Sequence, residues 1–285
     1  TVSYGAGAAY APDAIIEAST QLDFHDPLAP GAWRRGIATA DVDYSLQESS
    51  QRLRADATRV IDHLEGGGCL EDDYVVRKVR RVNEGCMAMN ANIEAQASRW
   101  LDAGKTVGLV GGDHSTPYGL IRALGARHAE FGILHVDAHC DLRDAYEGFE
   151  FSHASIMFNV LRDVPQVVKI AQVAVRDFSE TEAALAASSE RIASFDDLSL
   201  AAAAFRGETW DAQCRRIVDV LPQEVYVSFD IDGLTFENCP HTGTPVSGGL
   251  TFNQAVYLLD TLVRSGRRII GFDVVEVCPV ADERI

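Results

Sequence analysis

The residues best suited to chemistry lie between Val136 and Asp141, in the order Val-Asp-Ala-His-Cys-Asp. They follow an apolar run, residues 131–134, that is typical of a buried strand. Side chains two residues apart on a strand share a face, so we expect Asp137, His139 and Asp141 to converge. Two carboxylates and an imidazole at the end of a buried strand require a compensating positive charge. A divalent metal ion is the simplest source of that charge, and a solvated acidic turn is the alternative.

Three further polar clusters each follow an apolar segment. They are Asp113-His114, the pair Asp230 and Asp232, and Glu276 at the end of an apolar run. We expect Asp230 and Asp232 to share one face of an extended segment. One cluster alone is weak evidence, because an Asp-x-Asp pair is usually a turn or a cap. Taken together, the four segments supply an oxygen-rich set of ligands that suits ions such as Mn²⁺ and exceeds what one catalytic zinc ion needs. The sequence therefore predicts a site for two divalent ions bridged by shared carboxylates.

Strand and helix patterns alternate around these clusters. The predicted strands are residues 106–110, 132–136, 167–175, 224–229 and 269–275, and the predicted helices between and after them are 116–128, 180–187, 210–221 and 252–264. Two long helices are predicted earlier, at 46–64 and at 72–103, the second interrupted near Gly85. This alternation predicts an α/β fold of three layers, with helices on both faces of a mostly parallel central sheet. In such sheets, polar clusters gather at the carboxyl ends of the strands.

Composition restricts the class of protein. The chain has 285 residues, 47% of them hydrophobic, and a formal net charge of −17. We expect a single domain over residues 1–285, because neither a repeat nor a linker is evident. The negative charge disfavours nucleic acid and anionic membrane as partners and mildly favours small cationic substrates. Six scattered cysteines without CxxC spacing, together with a first segment unlike a signal peptide, predict a cytoplasmic protein.

The order of the motifs resembles the ureohydrolase superfamily, which includes the arginases and agmatinases. The resemblance rests on residues 111–115, 137–141 and 228–232, and it continues through 243–246 and 276–279. It implies an arginase-like fold and a hydrolase with two Mn²⁺ ions, or Ni²⁺ or another divalent ion, that cleaves a guanidino compound to urea and an amine. It also implies a homo-oligomer, either a trimer or a hexamer, and a final helix after Glu276 that the given sequence does not contain.

The resemblance further implies a role for each candidate residue. The implied ligands of one ion are His114, Asp137, Asp141 and Asp230, and those of the other are Asp137, His139, Asp230 and Asp232. The implied catalytic residues are His153, Glu276 and Asp141. Glu276 would hold the guanidinium by paired hydrogen bonds, and His153 would transfer a proton to the leaving amine. His135 lies one pleat deeper than Asp137, and we expect it to support a ligand or pack in the core rather than bind metal.

The segment after the second motif bears on the substrate. Arginases have Asn where this sequence has Arg143, and a second Asp where it has Ser179, so arginine is disfavoured and an agmatinase-like enzyme is the leading hypothesis. The predicted substrate-binding residues are Glu276, Arg143, Asp144 and Ser179. The acidic residues of the loop would attract a cationic tail, whereas Arg143 leaves guanidinobutyrate or guanidine open. A non-catalytic metal-binding homologue and a one-zinc deacylase are weaker alternatives, because all six ligands are present.

Overall fold

The sheet that carries the motifs has six strands within the part of the chain that the structure describes. The computed structural model describes residues 7–40 and 43–279. Every strand pair is parallel, and the order across the sheet is β1-β6-β5-β2-β3-β4. The strands are β1 (Val107–Val110), β2 (Phe131–Val136), β3 (Val167–Val173), β4 (Ile192–Phe195), β5 (Glu224–Asp230) and β6 (Arg268–Val275). Five of the six were predicted, and the edge strand β4 was missed.

Nine α-helices surround the sheet in the same described ranges. They are α1 (Ala11–Ser19), α2 (Tyr44–Glu65), α3 (Asp73–Asp102), α4 (Tyr118–Gly125), α5 (Ile156–Asp163), α6 (Glu180–Ser188), α7 (Asp197–Phe205), α8 (Trp210–Asp219) and α9 (Phe252–Arg264). The sequence did not predict α5 and α7, which have only eight and nine residues. None of the described helices combines the length and the apolar character that crossing a membrane requires.

Alternate residues of the central strands face two separate apolar cores. On β2, Phe131 and Ile133 pack in the core formed with α3, α4 and α5, whereas Leu134 and Val136 pack in the core formed with α7, α8 and α9. The side-chain period of two on a strand produces this division. Helices therefore cover both faces of the sheet, and the predicted three-layer α/β/α architecture is confirmed. The predicted domain limits at residues 1 and 285 lie outside the described residues.

Helix α3 runs without a break through Gly85, so the predicted interruption is wrong. A Cβ atom at Gly85 would overlap the side chain of Leu53 on α2. Glycine costs a helix about 1 kcal/mol relative to alanine. Glycine at this position leaves room for Leu53 to pack where α2 meets α3, beside a core that includes Val60 and Val82.

The register of the sheet brings the four polar segments to one edge. Val136 of β2 pairs with Phe229 of β5, Asp230 pairs with Val275 of β6, and Val274 pairs with Val110 of β1. The chain segments that follow β1, β2, β5 and β6 therefore start at nearly the same level, at the carboxyl ends of the strands. This is the edge at which parallel α/β sheets place their sites.

Candidate active site

The first group of predicted metal ligands surrounds His114. Its Nδ1 atom lies 2.8 Å from Asp137 Oδ2, 3.0 Å from Asp141 Oδ2 and 3.3 Å from Asp230 Oδ2. All four residues are buried. The structure therefore brings together the four residues that were predicted to hold one ion.

The second group surrounds His139. Its Nδ1 atom lies 3.2 Å from Asp232 Oδ2 and 3.4 Å from Asp137 Oδ1. The side chain of His139 is 23% exposed, whereas those of Asp137 and Asp232 are each 1% exposed. Asp137 contacts both histidines through different oxygen atoms, which is the arrangement that a bridging carboxylate needs.

The donor atoms of the His114 group fit a divalent cation. His114 Nδ1 and Asp141 Oδ2 are buried, and neither makes a hydrogen bond of acceptable geometry although they lie 3.0 Å apart. Burial, and then the neighbouring charge of Asp137, raise the pKa of Asp141 to about 6. Burial, and then the charges of Asp232 and Asp137, raise the pKa of Asp230 well above its usual value. A cation among these carboxylates would relieve the repulsion and engage the unused atoms.

Irregular turns, rather than extended strands, position two of the carboxylates. Strand β2 ends at Val136, and Asp141 has a φ angle of 55°, in the left-handed region. The backbone carbonyl of Asp141 accepts a hydrogen bond from Met157 N at the start of α5, which holds this strained turn. Asp232 lies in a 3-10 turn, Ile231–Gly233, where its backbone N donates to Asp230 Oδ1 at 2.8 Å. The expected extended backbone at these two aspartates is therefore wrong, although their side chains do converge.

Glu276 lies beside the His114 group. Its Oε1 atom accepts a hydrogen bond from the backbone N of His114 at 2.9 Å. Its φ angle is 62°, and its own backbone N donates to Gly112 O at 2.9 Å. Burial, followed by the negative charge of Asp113, raises the pKa of Glu276 to about 8. A cation placed against this buried carboxyl group would favour its charged form.

His153 begins a 3-10 turn, His153–Ser155, next to the second motif. The turn is tied to that motif by a hydrogen bond from Arg143 N to Ala154 O, 3.0 Å long. The ring of Tyr146 meets the His153 ring edge-on, with centroids 6.1 Å apart. Burial lowers the pKa of His153 to about 4, so the imidazole is neutral at pH 7.

Two of the predicted substrate-binding residues make contacts within the protein. Arg143 Nε lies 3.4 Å from Glu182 Oε2, and its guanidinium lies over the ring of Tyr146, 4.8 Å from the centroid. Ser179 caps α6, and its hydroxyl donates to the same Glu182 oxygen at 2.7 Å. Asp144, the residue after Arg143, is exposed. The Arg143 side chain remains 40% exposed, so Arg143 and Asp144 both present charge to solvent, while Arg143 is in addition paired with Glu182.

Two acidic residues of this region were not assigned to the site from the sequence. Glu182 is buried, and its Oε1 atom accepts a hydrogen bond from Leu142 N at 3.2 Å. The spacing of Ser179 and Glu182 matches a capping box, which was the available signal. Asp177 is the second, with Oδ2 at 4.0 Å from His139 Nε2 and a side chain 67% exposed. It adds negative charge on the exposed side of the His139 group.

A parallel α/β sheet with a buried His/Asp cluster at its carboxyl edge is the arrangement of an α/β protein with a candidate metal site. The chain belongs to the arginase family, whose family model matches residues 1–285. Enzymes of this family typically use a binuclear site for divalent ions, and the cluster is a candidate for such a site.

Individual relatives point in the same direction. The chain is 35% identical over 187 residues to an N(1)-aminopropylagmatine ureohydrolase of Thermus thermophilus, an alignment covering 66% of this chain and 60% of the relative. It is 34% identical over 200 residues to an agmatinase of Serratia proteamaculans, covering 69% and 60%. The matched part of the chain thus spans about 60% of the length of these relatives.

Solved structures support the fold. A hypothetical agmatinase from Burkholderia thailandensis has a TM-score of 0.57 and 29% identity, with 68% of this chain and 58% of that chain covered. The agmatine ureohydrolase of Thermoplasma volcanium has a TM-score of 0.70 over 99% of this chain and 80% of the other. The second structure shares 22% of its sequence with this chain and is informative about the fold alone.

Proposed function

We propose that the chain is an agmatinase-like amidinohydrolase that uses two divalent ions to hydrolyse a guanidino compound with a cationic tail to urea and an amine. The observation that carries this proposal is the convergence of three buried carboxylates on His114 Nδ1, next to the buried carboxyl group of Glu276. The family and the agmatine-related names of its relatives support the same chemistry.

The proposed ligands are the two groups described above. One ion would be held by His114, Asp137, Asp141 and Asp230. The other would be held by Asp137, His139 and Asp232, with Asp230 of the His114 group as a further, shared ligand. The oxygen-rich donor set favours Mn²⁺, and Ni²⁺ is the main alternative. Bound there, two such ions would lower the pKa of a water molecule towards neutrality and so supply a nucleophile at physiological pH.

The remaining steps fall to protein side chains. Glu276 would accept paired hydrogen bonds from the guanidinium and fix the orientation of its central carbon. The guanidinium would in turn keep Glu276 ionised despite its burial. His153, neutral at pH 7, would accept a proton and pass it to the leaving amine. These roles account for one buried carboxyl group and one neutral imidazole beside the cluster.

The charges around the site favour a cationic substrate tail. Asp144 is an exposed carboxylate in the loop after the second motif. Asp177 is an exposed carboxylate beside the His139 group. Arg143, which would be needed to bind an acidic tail, is already paired with Glu182. A tail carrying an amine, as in agmatine, therefore meets a favourable field, and a carboxylate tail does not.

The proposal extends to the assembly and location of the protein. We include a homo-oligomer, as trimer or hexamer, a single ureohydrolase domain, and a cytoplasmic location in which the thiols stay reduced. All six cysteines are free, and four of them are buried. This agrees with a reducing compartment.

Urea release from a panel of substrates tests the proposal. Agmatine, guanidinobutyrate, guanidine and arginine would each be incubated with the protein, with Mn²⁺ and Ni²⁺ supplied separately. We expect agmatine to give the highest kcat/KM. Metal-free protein is the control. If agmatine yields no urea with either metal, the assignment as an agmatinase-like enzyme is wrong. Turnover of guanidinobutyrate alone would show that the substrate has an acidic tail instead.

A further inference from the structure

His135 is a buried histidine whose role the metal cluster leaves open. It is 0% exposed, and its Nε2 atom lies 2.9 Å from Asp137 Oδ2. The donor atoms of His135, His114, Asp137 and Asp141 lie close enough together to hold an ion. A neutral imidazole has one N–H group and one lone pair, so His135 can bind a cation through Nε2 only if the proton is on Nδ1. The hydrogen-bond partner of His135 Nδ1 therefore decides whether His135 can bind a cation through Nε2.

That partner is Gln172, which is opposite His135 in the register of β3 and β2 and is also fully buried. The amide nitrogen Nε2 of Gln172 lies 2.7 Å from Cys140 O and 3.4 Å from His135 Nδ1. The oxygen Oε1 accepts a hydrogen bond from Ser194 Oγ at 3.3 Å. Because a backbone carbonyl can only accept, the reverse orientation of the amide would place two oxygens 2.7 Å apart at Cys140.

The polarity of the whole chain of hydrogen bonds follows from this orientation. The NH₂ group of Gln172 has two hydrogens, and one is donated to Cys140 O. The other can be donated to His135 Nδ1 at 3.4 Å, and this hydrogen bond requires Nδ1 to be the unprotonated nitrogen. The proton of the ring is consequently on Nε2, where it is donated to Asp137 Oδ2. A ring arranged in this way has no lone pair facing the cluster.

We propose that Gln172 and His135 are positioning residues for Asp137, and that His135 is not a metal ligand. Gln172 sets the tautomer of His135, and His135 holds one oxygen of the carboxylate that contacts both His114 and His139. Partners of this kind orient metal ligands, and their loss typically costs 10–100-fold in metal affinity. The effect on metal rests on the proposed function, whereas the tautomer does not.

The tautomer can be read directly by NMR. Metal-free protein labelled with ¹⁵N-histidine would be examined by long-range ¹H–¹⁵N correlation, with His135→Gln used to assign the signal. We expect Nε2 of His135 to be protonated and Nδ1 to be unprotonated. Gln172→Glu replaces the donor by an acceptor and should move a proton to Nδ1. A wild-type ring protonated on Nδ1 alone overturns the proposal, whatever the catalytic activity.

Mn²⁺ binding provides the second test, by equilibrium dialysis at increasing metal concentration. Gln172→Glu, Gln172→Leu and His135→Ala should each lower the affinity by about 10–100-fold while two ions still bind at saturation. His135→Gln keeps an N–H donor near Asp137 and should stay within a few-fold of wild type. Ser194→Ala, which alters only the outer end of the chain, is the matched control.

Two binding results would contradict the proposal. The first is a saturation value that falls from two ions to one in both His135→Ala and His135→Gln, since that identifies His135 as a ligand. The second is unchanged affinity in a folded Gln172→Glu variant, with folding checked by circular dichroism. Weak affinity without any urea release, by contrast, would argue against the proposed enzyme and leave the tautomer result standing.

Discussion

His114 and His139 both face carboxylates, but their surroundings differ. The side chain of His114 is 1% exposed and has three carboxylates within 3.3 Å. The side chain of His139 is 23% exposed, has two carboxylates within 3.4 Å, and meets the exposed Asp177 only at 4.0 Å. The His114 group is thus sealed inside the protein, while the His139 group opens towards the surface.

This difference indicates which half of the site should retain its metal ion more tightly and which half should admit the substrate. Charges in a sealed, poorly solvated group interact more strongly than charges that water and salt can screen. A cation among the His114 carboxylates should therefore be held more tightly than one beside His139. The open side, near Asp177 and the loop that carries Asp144, is where a small cationic substrate would approach.

The largest expected effect comes from Asp230, a proposed ligand of both ions. Asp230→Ala removes the shared carboxylate, so activity should fall by at least about 10³-fold and metal content should fall with it. Urea release and metal analysis of the same sample provide the check. Asp144→Asn is the control and should retain both ions. Full metal content in Asp230→Ala would show that the two halves do not share this residue.

The next effect separates proton transfer from metal binding. His153→Gln should lower kcat by about 10²–10³-fold, because a general acid–base group contributes on this scale. Both ions should stay bound, since His153 is not among the proposed ligands. Metal analysis beside steady-state kinetics measures the two quantities. A loss of metal in this variant would contradict the role as a proton carrier.

The two halves can be compared directly by removing each histidine. His114→Ala should weaken Mn²⁺ binding at the sealed half, and His139→Ala at the open half, each by more than the roughly 10–100-fold that loss of an outer partner costs. In the wild type, dialysis against a chelator should remove one ion well before the second. His139→Ala should retain the slowly released ion and His114→Ala should lose it. Simultaneous release of both ions from the wild type would remove the distinction.

A smaller effect concerns stability at acidic pH. The pKa of His153 is about 4 in the folded chain and about 6.5 when unfolded, so the unfolded state binds more protons between these values. His153 by itself should therefore lower the stability of the metal-free protein by on the order of 2 kcal/mol as the pH falls from 7 to 5. The raised pKa values of Glu276 and Asp141 act in the opposite direction, so the His153 contribution is read from the difference between two proteins. Relative to metal-free wild type, metal-free His153→Gln should therefore gain on the order of 2 kcal/mol between pH 7 and pH 5. Urea denaturation of both metal-free proteins at pH 7 and pH 5 measures their free energies of unfolding. The same change in this free energy with pH in both proteins would contradict the burial of the imidazole.

The smallest expected effect is at Arg143. Its ion pair with Glu182 is partly exposed, and such pairs contribute about 0–1 kcal/mol. Arg143→Met should therefore change KM for agmatine by less than about fivefold. Glu182→Gln, which weakens the anchor of Leu142, serves as the comparison. If Arg143→Met abolishes turnover of guanidinobutyrate while sparing agmatine, Arg143 binds acidic tails and the open half is less selective than proposed.

Much of the candidate site could be predicted because it lies where strands end. Asp137 and Asp230 each close an apolar strand, and the parallel order of the sheet places those ends side by side. The turns that follow could not be predicted, because their geometry depends on partners far along the chain. The left-handed backbone of Asp141 is held by a hydrogen bond from Met157, and that of Glu276 by one to Gly112.

The substrate-facing residues show the same limit more strongly. Arg143 and Ser179 were assigned from their positions relative to the motifs, and residue type alone did not reveal that both contact Glu182. Gly85 looked like a helix breaker, but α3 continues through it where the side chain of Leu53 on α2 packs closely. In each case, a long-range contact outweighs the local preference that the sequence expresses.

The sequence by itself determined the alternation of strands and helices, the motif residues and the excess of carboxylates, because these depend on residue type and short-range period. Only the tertiary structure decided which half of the cluster is sealed and which nitrogen of His135 faces Asp137. It also decided that the guanidinium of Arg143 is paired with Glu182. Those features depend on burial and on the partners that folding brings together. Charge and hydrogen-bond polarity become specific only when water has been excluded.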